Sequence, residues 1–184
     1  MKKQREEYLK KVTIGEVENI NNNITLESYN PNWPKLFKKL KQTILKVLPD
    51  ATVEHVGSTS IPGLTAKPII DIILLVKDSD DEASYLPQLE SIDYYLRIRE
   101  PDWYQHRLFK HHQYAVNLHV FSFGCLEAKR MLDFRDILRN DPNAFKLYAD
   151  TKKKLASQKW KYVQEYADAK TEVIKMILNL KQHP

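Results

Sequence analysis

The chain has 184 residues, of which 42% are hydrophobic and 29% are charged. These proportions are those of an ordinary globular protein, and they exclude a disordered, a collagen-like or a membrane-embedded chain. A chain of this length buries roughly 70% of the surface that its unfolded form exposes, so one domain without covalent cross-links is the default.

Charge and cysteine content limit the partners and the compartment. The formal net charge is +5, which favours anionic partners such as nucleotides or RNA, although a solvated surface gives the same value. The single cysteine, Cys125, cannot close an internal disulfide and is typical of a reducing compartment. No stretch reaches the roughly 18 apolar residues that a membrane span needs, and residues 1–7 lack the apolar core of a secretory signal. We therefore expect a cytoplasmic protein without a membrane partner.

The first part of the chain predicts an arm followed by a strand and a helix. Residues 1–23 are polar and end in an asparagine-rich run, so we expect a loosely attached arm, with or without a short helix, ahead of one domain at 24–184. Alternating residues predict a short strand at Ile24–Tyr29. From Lys35 onward, apolar residues recur at helical spacing, and Pro49 is expected to end that helix.

Two apolar segments in the middle of the chain predict neighbouring strands around a loop. Ala51–Val56 is a strand candidate that runs directly into the polar residues Gly57–Ser60, and Ile61–Leu64 is expected to be a loop. Ile69–Val76 is β-branched and apolar without alternation, which is typical of a central strand covered on both faces.

The remainder of the chain predicts one more helix, three strands and a helical end. The capping residues 78–81 predict a helix that runs to about Ser91. Strands are expected at Tyr94–Arg99, Arg107–Lys110 and Tyr114–Phe123, and helices at Leu126–Asn140, Pro142–Gln158 and Lys161–Gln182. This order of elements is that of an α/β or α+β domain with a helical C-terminal third.

The segment between the two central strands carries the clearest sign of chemistry. A glycine directly after a strand allows close approach of a ligand, and the hydroxyl and N–H groups that follow suit phosphate oxygens. The candidate phosphate-binding residues are Gly57, Ser58, Thr59, Ser60 and Lys67. Asp71 lies among aliphatic residues of the buried strand, where a carboxylate is costly unless it is paired or holds a metal ion. The alternative is a buried aspartate that accepts backbone hydrogen bonds.

The same segment resembles the signature of a known family. Residues 53–72, Val-Glu-His-Val-Gly-Ser-Thr-Ser-Ile-Pro-Gly-Leu-Thr-Ala-Lys-Pro-Ile-Ile-Asp-Ile, resemble that of the GrpB family, which belongs to the nucleotidyltransferase superfamily. Asn117–Val120 resembles the family's later His-containing strand, and Phe134–Arg139 resembles its Phe-Arg-Asp helix. The helical tail fits the family at Tyr148, Lys152, Tyr166 and Lys170. The resemblance covers roughly residues 24–178 and leaves 1–23 outside.

The resemblance implies a nucleotidyltransferase-like fold, which is a small mixed sheet with helices on its faces. In that superfamily the Gly-Ser pair after the first core strand holds a nucleoside triphosphate, and carboxylates spaced Asp-x-Asp on the next strand bind divalent metal ions. It therefore implies Gly57 and Ser58 for the triphosphate and Asp71 as a catalytic metal ligand. The metal ions polarise the phosphate, a nucleotide is transferred and pyrophosphate leaves. The reaction of the GrpB family itself is not established.

The chain departs from the superfamily pattern at the other carboxylates. Ile73 stands where the second is expected, and His119, a second catalytic candidate, stands where the third is expected. Alternation puts Asp71 and Ile73 on one face of their strand, and Asn117 and His119 on one face of theirs. Glu54, on the preceding strand, could supply another carboxylate. A set of Asp71, His119 and Glu54 predicts a divalent metal, Mg²⁺ or Mn²⁺, with the imidazole favouring Mn²⁺ or Zn²⁺.

The histidines and arginines outside that set each have two interpretations. Arg135 and Arg139 share a helix face and could clamp phosphates or join an ion-pair network with neighbouring aspartates. His55 could contact phosphate or metal, or hydrogen-bond a neighbour. The cluster of His106, His111 and His112 could form a basic rim for an anionic substrate or, with a less convincing spacing, a metal site. His119 could instead be a satisfied core histidine.

The C-terminal helices offer weaker candidates. Tyr162, Tyr166 and Lys170 lie on one helical stripe, which could stack on a base or pack at the edge of the core. Lys152–Lys154 is expected to be a solvated helix face. Cys125 is expected to be an inert thiol because the sequence around it supplies no catalytic partner.

Three function hypotheses remain. The first is a metal-dependent nucleotidyltransferase whose partner is a nucleoside triphosphate or another phosphorylated small molecule. The second is a non-catalytic relative that binds a nucleotide or phosphate ligand. The third and weakest is an RNA-binding module, motivated by the net charge and the lysine-rich helices.

Overall fold

A single mixed sheet organises the computed structural model of the chain, which describes residues 2–16, 25–158, 160 and 163–180. The strands are β1 (Thr52–Val56), β2 (Ile70–Val76), β3 (Tyr94–Glu100), β4 (His106–His111) and β5 (Val116–Ser122). Their order across the sheet is β1-β2-β5-β4-β3. β2 and β5 are parallel, whereas the other neighbours are antiparallel. The small mixed sheet confirms the predicted fold class.

Seven α-helices surround the sheet within the described residues. They are α1 (Lys2–Val12), α2 (Asn32–Val47), α3 (Leu86–Glu90), α4 (Leu126–Asn140), α5 (Pro142–Ala156), α6 (Val163–Ala169) and α7 (Thr171–Leu180). The side chain of Asp141 accepts the N–H groups of Asn143 and Ala144, and Pro142 occupies the first turn, so α5 begins as its cap predicts. The helix predicted at Lys161–Gln182 is instead interrupted at Lys170, and its ends at 161–162 and 181–182 lie outside the described residues.

Two other predicted elements are shorter than expected. The strand predicted at Ile24–Tyr29 is reduced, in its described part, to one bridge between Glu27 and Ala66. The helix predicted from residues 78–81 to Ser91 is split into a 3₁₀ turn at Glu82–Ser84 and the short α3. Pro87 lies at the start of α3, and a proline removes an N–H donor that a continuous helix would need.

The two faces of the sheet pack against different helices. One face buries aliphatic side chains such as Ile72, Leu74 and Leu118 against α2 and α3. The other face carries Val56 and Ile73, which pack against α4, together with the polar residues of β2 and β5. The candidate site therefore lies on the face of α4–α7, and the first face serves as the main core.

The N-terminal helix is attached to the sheet through β3. The backbone N–H of Ile14 donates to the carbonyl oxygen of Arg97 at 2.8 Å, and Lys11 pairs with Asp102 at 3.1 Å. The described part of the predicted arm thus packs on the domain, while the proposed boundary near residue 23 lies among residues outside the description. In the described parts of the chain, no helix is both long and apolar enough to cross a membrane.

Candidate anion-binding site

Gly57 brings the backbone directly against Asp71. Its φ is +67°, and a Cβ at this position would lie 2.3 Å from Oδ2 of Asp71 and 2.9 Å from its Cβ. Val56 pairs with Asp71 across β1 and β2, so the chain leaves β1 beside the carboxylate. Glycine is required here because any side chain would overlap Asp71 and strain the backbone.

The turn that follows uses most of its hydroxyl groups internally. Thr59 Oγ1 donates to the carbonyl oxygen of Ile69 at 3.1 Å, and Ser60 Oγ donates to that of Gly57 at 2.6 Å. Both side chains are buried. Ser58 instead contacts Tyr148, where a hydrogen bond from Ser58 opposes the rise that burial causes in the pKa of that phenol. Of the three hydroxyl residues predicted to bind phosphate, Ser58 is therefore the one directed toward the site.

His55 lies on the opposite face and holds the turn in place. Its Nε2 is 3.0 Å from Thr59 Oγ1, and its ring stacks on Phe37 with centroids 4.6 Å apart. Because Thr59 donates its only proton to Ile69, His55 Nε2 is assigned as the donor. Burial, together with the charges of Arg139 and Arg135, lowers the pKa of His55 to about 4. His55 therefore serves as a neutral structural residue.

Asp71 begins a polar line across the sheet on the site face. Asn117, opposite Asp71 in the parallel β2–β5 register, donates its amide to Asp71 Oδ1 at 2.6 Å. The amide oxygen of Asn117 in turn accepts a hydrogen bond from Lys110 Nζ. Burial raises the pKa of Asp71, whereas Asn117 and three neighbouring lysines oppose that rise.

We give the name cation cluster to three lysines that interact electrostatically with this carboxylate, as Lys110 also does: Lys67, Lys152 and Lys170. Lys170 Nζ lies 4.4 Å and Lys67 Nζ 5.7 Å from the ring centroid of Tyr166. Lys152 is 2% exposed, and its Nζ donates to the carbonyl oxygen of Thr65 at 2.5 Å. The cluster draws on the loop before β2, on α5 and on the break between α6 and α7.

Crowding and burial make these ammonium groups unusually acidic. Burial, followed by the charge of Lys170, lowers the pKa of Lys152 to about 7. Burial, followed by the charge of Lys67, lowers the pKa of Lys170 to about 8, against the opposing effect of Asp71. Burial also lowers the pKa of Lys67. The site therefore holds more positive charge than one carboxylate neutralises, and an anion would relieve the excess.

An unpaired hydroxyl lies beside the same lysines. Tyr166 is 1% exposed, and its hydroxyl has no hydrogen-bond partner among the described residues. Burial raises the pKa of Tyr166 to about 12, so the phenol is a neutral donor. A buried polar atom without a partner costs about 1–3 kcal/mol, which a ligand oxygen would recover.

Arg135, Arg139 and Glu54 are engaged with the protein itself. Arg135 donates to Glu54 Oε2 at 2.8 Å, to Asp136 Oδ1 at 2.7 Å and to the carbonyl oxygen of His55 at 3.1 Å. Arg139 donates twice to the carbonyl oxygen of Ser60, at 2.8 and 3.1 Å. These contacts fasten α4 to the loop after β1. The predicted phosphate role of the two arginines remains a prediction, and we do not include them in the cation cluster.

A cavity of about 730 Å³ opens beside the cation cluster. Gly57 and Tyr148 line one part of it, Trp103 and Tyr8 line another, and His119 also lines it. Its walls come from the sheet, from α1 and from the helices α4–α7. The cavity therefore lies between the predicted phosphate-binding loop at Gly57 and a region around Tyr8 and Trp103. The sequence patterns did not connect that region with the loop.

The predicted metal ligands do not form a site that suits a divalent cation. Glu54 is paired with Arg135, and His119 Nδ1 lies 3.0 Å from His106 Nε2. Asp71 is bound to the Asn117 amide and surrounded by lysines, whose charges repel a cation. Within 2–16, 25–158, 160 and 163–180, no group of three or more metal-binding side chains converges. The donor set fits an anion better than Mg²⁺ or Mn²⁺.

The sequence matches a family model described as GrpB protein over residues 23–180. The chain belongs to the GrpB family. It is 53% identical over 175 residues to a UPF0157 protein of Halalkalibacterium halodurans, a match that covers 94% of this chain and 90% of the relative.

Among solved structures, one belongs to the same family and another has a more distant similarity of fold. A crystal structure of the conserved protein GrpB from Enterococcus faecalis superposes with a TM-score of 0.71 at 27% identity, covering 86% of this chain and all of that one. Terminal uridylyl transferase 4 of Trypanosoma brucei, with bound dUTP, gives a TM-score of 0.49 at 12% identity over 68% of this chain and 45% of that one. A match at the latter level carries no argument about function.

In this GrpB-family chain, two predictions about surface residues need correction. Lys152 is buried, although Lys153 and Lys154 are exposed as expected of a solvated face. His106 is buried beside His119, whereas His112 is exposed at the far end of β4, so the three-histidine cluster does not form a single site. Tyr162, part of the predicted aromatic stripe, lies outside the described residues.

The site also contains residues that the sequence patterns did not identify. Lys110 and Asn117 bind one another beside Asp71, and Glu100 binds His106 at 2.6 Å. Alternation along β4 would have put Lys110 and His106 on one face. The missing information was the register between β4 and β5, which determines that this face is the one carrying Asp71.

Proposed function

We propose that this GrpB-family protein binds the phosphate groups of a nucleotide, or of a similar phosphorylated small molecule, in the cation cluster without a metal ion. The supporting observation is the convergence of three lysines on one partly neutralised carboxylate. Gly57 and Ser58 border the same place, in agreement with the predicted phosphate loop.

The charge balance of the cluster supports an anionic ligand. The charges of the three cluster lysines and of Lys110 act on a single carboxylate whose pKa is itself raised by burial. Without an anion, two of the lysines are partly deprotonated at neutral pH because their pKa values fall to about 7 and about 8. A phosphate oxygen would restore their protonation and provide an acceptor for the unpaired hydroxyl of Tyr166.

A metal-dependent nucleotidyltransferase is the second candidate, and one observation favours it. Asp71 lies next to Gly57 and Ser58, as the superfamily pattern predicts for a metal-binding carboxylate. The lysines around Asp71 and the pairing of Glu54 with Arg135 oppose it. An RNA-binding role gains no support from this site, because its lysines are enclosed between helices and the sheet rather than spread over an exposed face.

Calorimetry with inorganic tripolyphosphate and ATP, each in the presence of a chelator, tests the proposal. We expect both to bind the unaltered protein and Lys170→Met to weaken both at least tenfold. Lys153→Met is the matched control, because Lys153 is exposed and its replacement should change neither affinity. A ligand at about 100 times its dissociation constant adds roughly 2.7 kcal/mol to the free energy of unfolding, so a thermal shift provides a second readout.

The outcomes separate the two candidates. Binding in chelator that needs Lys170 supports the metal-free proposal. Binding that appears only with Mg²⁺ or Mn²⁺, is lost in Asp71→Asn and releases pyrophosphate from ATP would establish the nucleotidyltransferase instead. The absence of any binding to tripolyphosphate or nucleotide, with or without metal, would refute both.

A further inference from the structure

A series of hydrogen-bonded polar side chains, from the exposed Tyr8 to the buried His106, lines the cavity and is not used by the proposed phosphate site. Tyr8 donates its hydroxyl to Glu100 Oε1. Glu100 Oε2 lies 2.6 Å from His106 Nδ1, and His106 Nε2 lies 3.0 Å from His119 Nδ1. The two imidazole rings stack with centroids 5.2 Å apart. Four polar side chains are thus linked in series within a largely apolar cavity.

The order of donors and acceptors along these four side chains determines whether His119 presents a hydrogen-bond donor or an acceptor to the cavity. Hydrogen bonds from His106 and Tyr8 lower the pKa of Glu100 against the effect of burial, so Glu100 is an ionised acceptor. His106 Nδ1 must therefore carry a proton. In the tautomer that carries its proton on Nδ1 alone, His106 Nε2 accepts from His119 Nδ1, which leaves the lone pair of His119 on Nε2. Burial lowers the pKa of His119 well below its usual value, so its ring is neutral.

The cavity has the size and lining of a small-molecule site. Its volume of about 730 Å³ falls within the roughly 300–1,000 Å³ typical of such sites. Apolar and aromatic side chains dominate the walls, among them Trp103, Met131, Phe134 and Ile174. Phosphate groups held by the lysines would leave this volume unfilled.

The cavity and the cation cluster are neighbours across Gly57 and Tyr148. Two residues that line the cavity also contact the site around Asp71. Gly57 lies against Asp71, and the ring centroid of Tyr148 lies 5.6 Å from Lys152 Nζ. Along β5, His119 stands two residues from Asn117, the partner of Asp71, which is roughly 7 Å on the same face. One ligand could therefore place phosphate at the lysines and an organic group beside His119.

We propose that the cavity binds the nucleobase of a nucleotide, with its ring among the aromatic walls and one of its N–H groups donating to His119 Nε2. This proposal rests on the proposed function, because the phosphates of the same ligand occupy the cation cluster. The hydrogen-bond chain from Glu100 through His106 makes His119 an acceptor at a pH where imidazoles are neutral. A ring that is apolar on its faces and carries an N–H at its edge fits both features.

Calorimetry at pH 8 in chelator compares tripolyphosphate with ATP, CTP, GTP and UTP. We expect at least one nucleotide to bind ten times more tightly than tripolyphosphate. His119→Phe keeps a ring but removes the acceptor, and it should cut that advantage at least fivefold while changing tripolyphosphate affinity less than twofold. His112→Phe is the matched control, because His112 is exposed and outside the cavity. Met131→Trp, which fills the cavity from α4, should have the same effect as His119→Phe.

The results distinguish this proposal from the one on which it rests. Tripolyphosphate binding without a nucleotide advantage would overturn the cavity assignment and leave the cation cluster in place. An advantage that survives both His119→Phe and Met131→Trp would also overturn it. If neither tripolyphosphate nor any nucleotide binds, both proposals fail together.

Discussion

The arginines of α4 and the lysines of the cation cluster are two basic groups with opposite surroundings. Arg135 donates to two carboxylates and to the carbonyl oxygen of His55. Arg139, whose pKa is also lowered by burial and by Arg135, donates to the carbonyl oxygen of Ser60, and these contacts fasten the loop after β1. Lys67, Lys152 and Lys170 face a single carboxylate and have lowered pKa values. Basic residues with sufficient acceptors within the protein are structural, whereas buried ones without them indicate a place for an anion. The comparison predicts that stability depends on the arginines and binding on the lysines.

The largest effect on the free energy of unfolding is expected at the contact between Gly57 and Asp71. Gly57→Ala should lower the free energy of unfolding by about 4 kcal/mol, since the new Cβ overlaps Asp71 and the backbone conformation is one that only glycine adopts easily. Gly124→Ala is the control, because Gly124 also has positive φ but nothing lies within 4 Å of its added Cβ. It should cost about 1 kcal/mol. Equal costs in urea unfolding would contradict the overlap.

The comparison itself is tested by replacing one residue of each group. Arg135→Ala should lower the free energy of unfolding by about 2 kcal/mol, because Glu54 and the carbonyl oxygen of His55 lose their donor. Tripolyphosphate affinity should change less than twofold. Lys170→Met should leave stability at pH 7 unchanged or up to about 1 kcal/mol higher, since a buried charge is removed, and it should weaken tripolyphosphate binding at least tenfold. The reverse pattern in urea unfolding and calorimetry would refute the assignment.

Binding should be accompanied by proton uptake. The pKa values of about 7 for Lys152 and about 8 for Lys170 lie below the ordinary lysine value, so both amines are largely neutral at pH 8.5 until an anion restores their protons. Affinity should therefore fall as pH rises from 7 to 9. In calorimetry at pH 8.5, the heats in buffers of different ionisation enthalpy should indicate uptake of about one proton or more. No dependence on the buffer would contradict the lowered pKa values.

The same lysines predict a pH dependence of stability. A folded-state pKa below the unfolded value means that the unfolded chain binds more protons between the two values. The free energy of unfolding without ligand should therefore gain a contribution that rises from about pH 7 toward pH 10. In Lys152→Met this rise should be smaller, as chemical denaturation at several pH values would measure. An unchanged slope in the variant would exclude Lys152 as its source.

The smallest effect is expected from Arg139→Lys. The variant keeps the positive charge but loses the paired donation to the carbonyl oxygen of Ser60. We expect a loss of about 0.5–1 kcal/mol in the free energy of unfolding, with no change in tripolyphosphate affinity. A large loss of tripolyphosphate affinity with little loss of stability would instead support the predicted role of Arg139 in a phosphate clamp.

Local patterns were sufficient to predict most of the sheet and the central contact. The strand before Gly57 and the uninterrupted apolar strand around Asp71 were both predicted correctly, because each is encoded by adjacent residues. The helix predicted at Lys161–Gln182 is interrupted in the structure at Lys170, where the sequence has neither glycine nor proline. Lys170 at that break has tertiary neighbours that local patterns do not encode, since it lies against Tyr166 and interacts with Asp71.

The environments of the basic residues could not be predicted in the same way. Arg135 and Arg139 had the spacing of a phosphate clamp, but several of their acceptors are backbone carbonyl oxygens, which every sequence provides. Lys152 lies in a run of three lysines, and only the packing of α5 distinguishes it from Lys153. Spacing identifies which side chains share a face, whereas burial depends on what the rest of the chain places against that face.

The walls of the cavity come from helices that are far apart in the sequence. Leu9 and Val12 of α1 face it from one side, and Ile174 of α7 faces it from the other. A ribosome releases Leu9 and Val12 long before Ile174, so these cavity walls come together only after α7 has emerged. A bound ligand would then favour molecules in which α7 is in place and would slow the separation of α7 from α1.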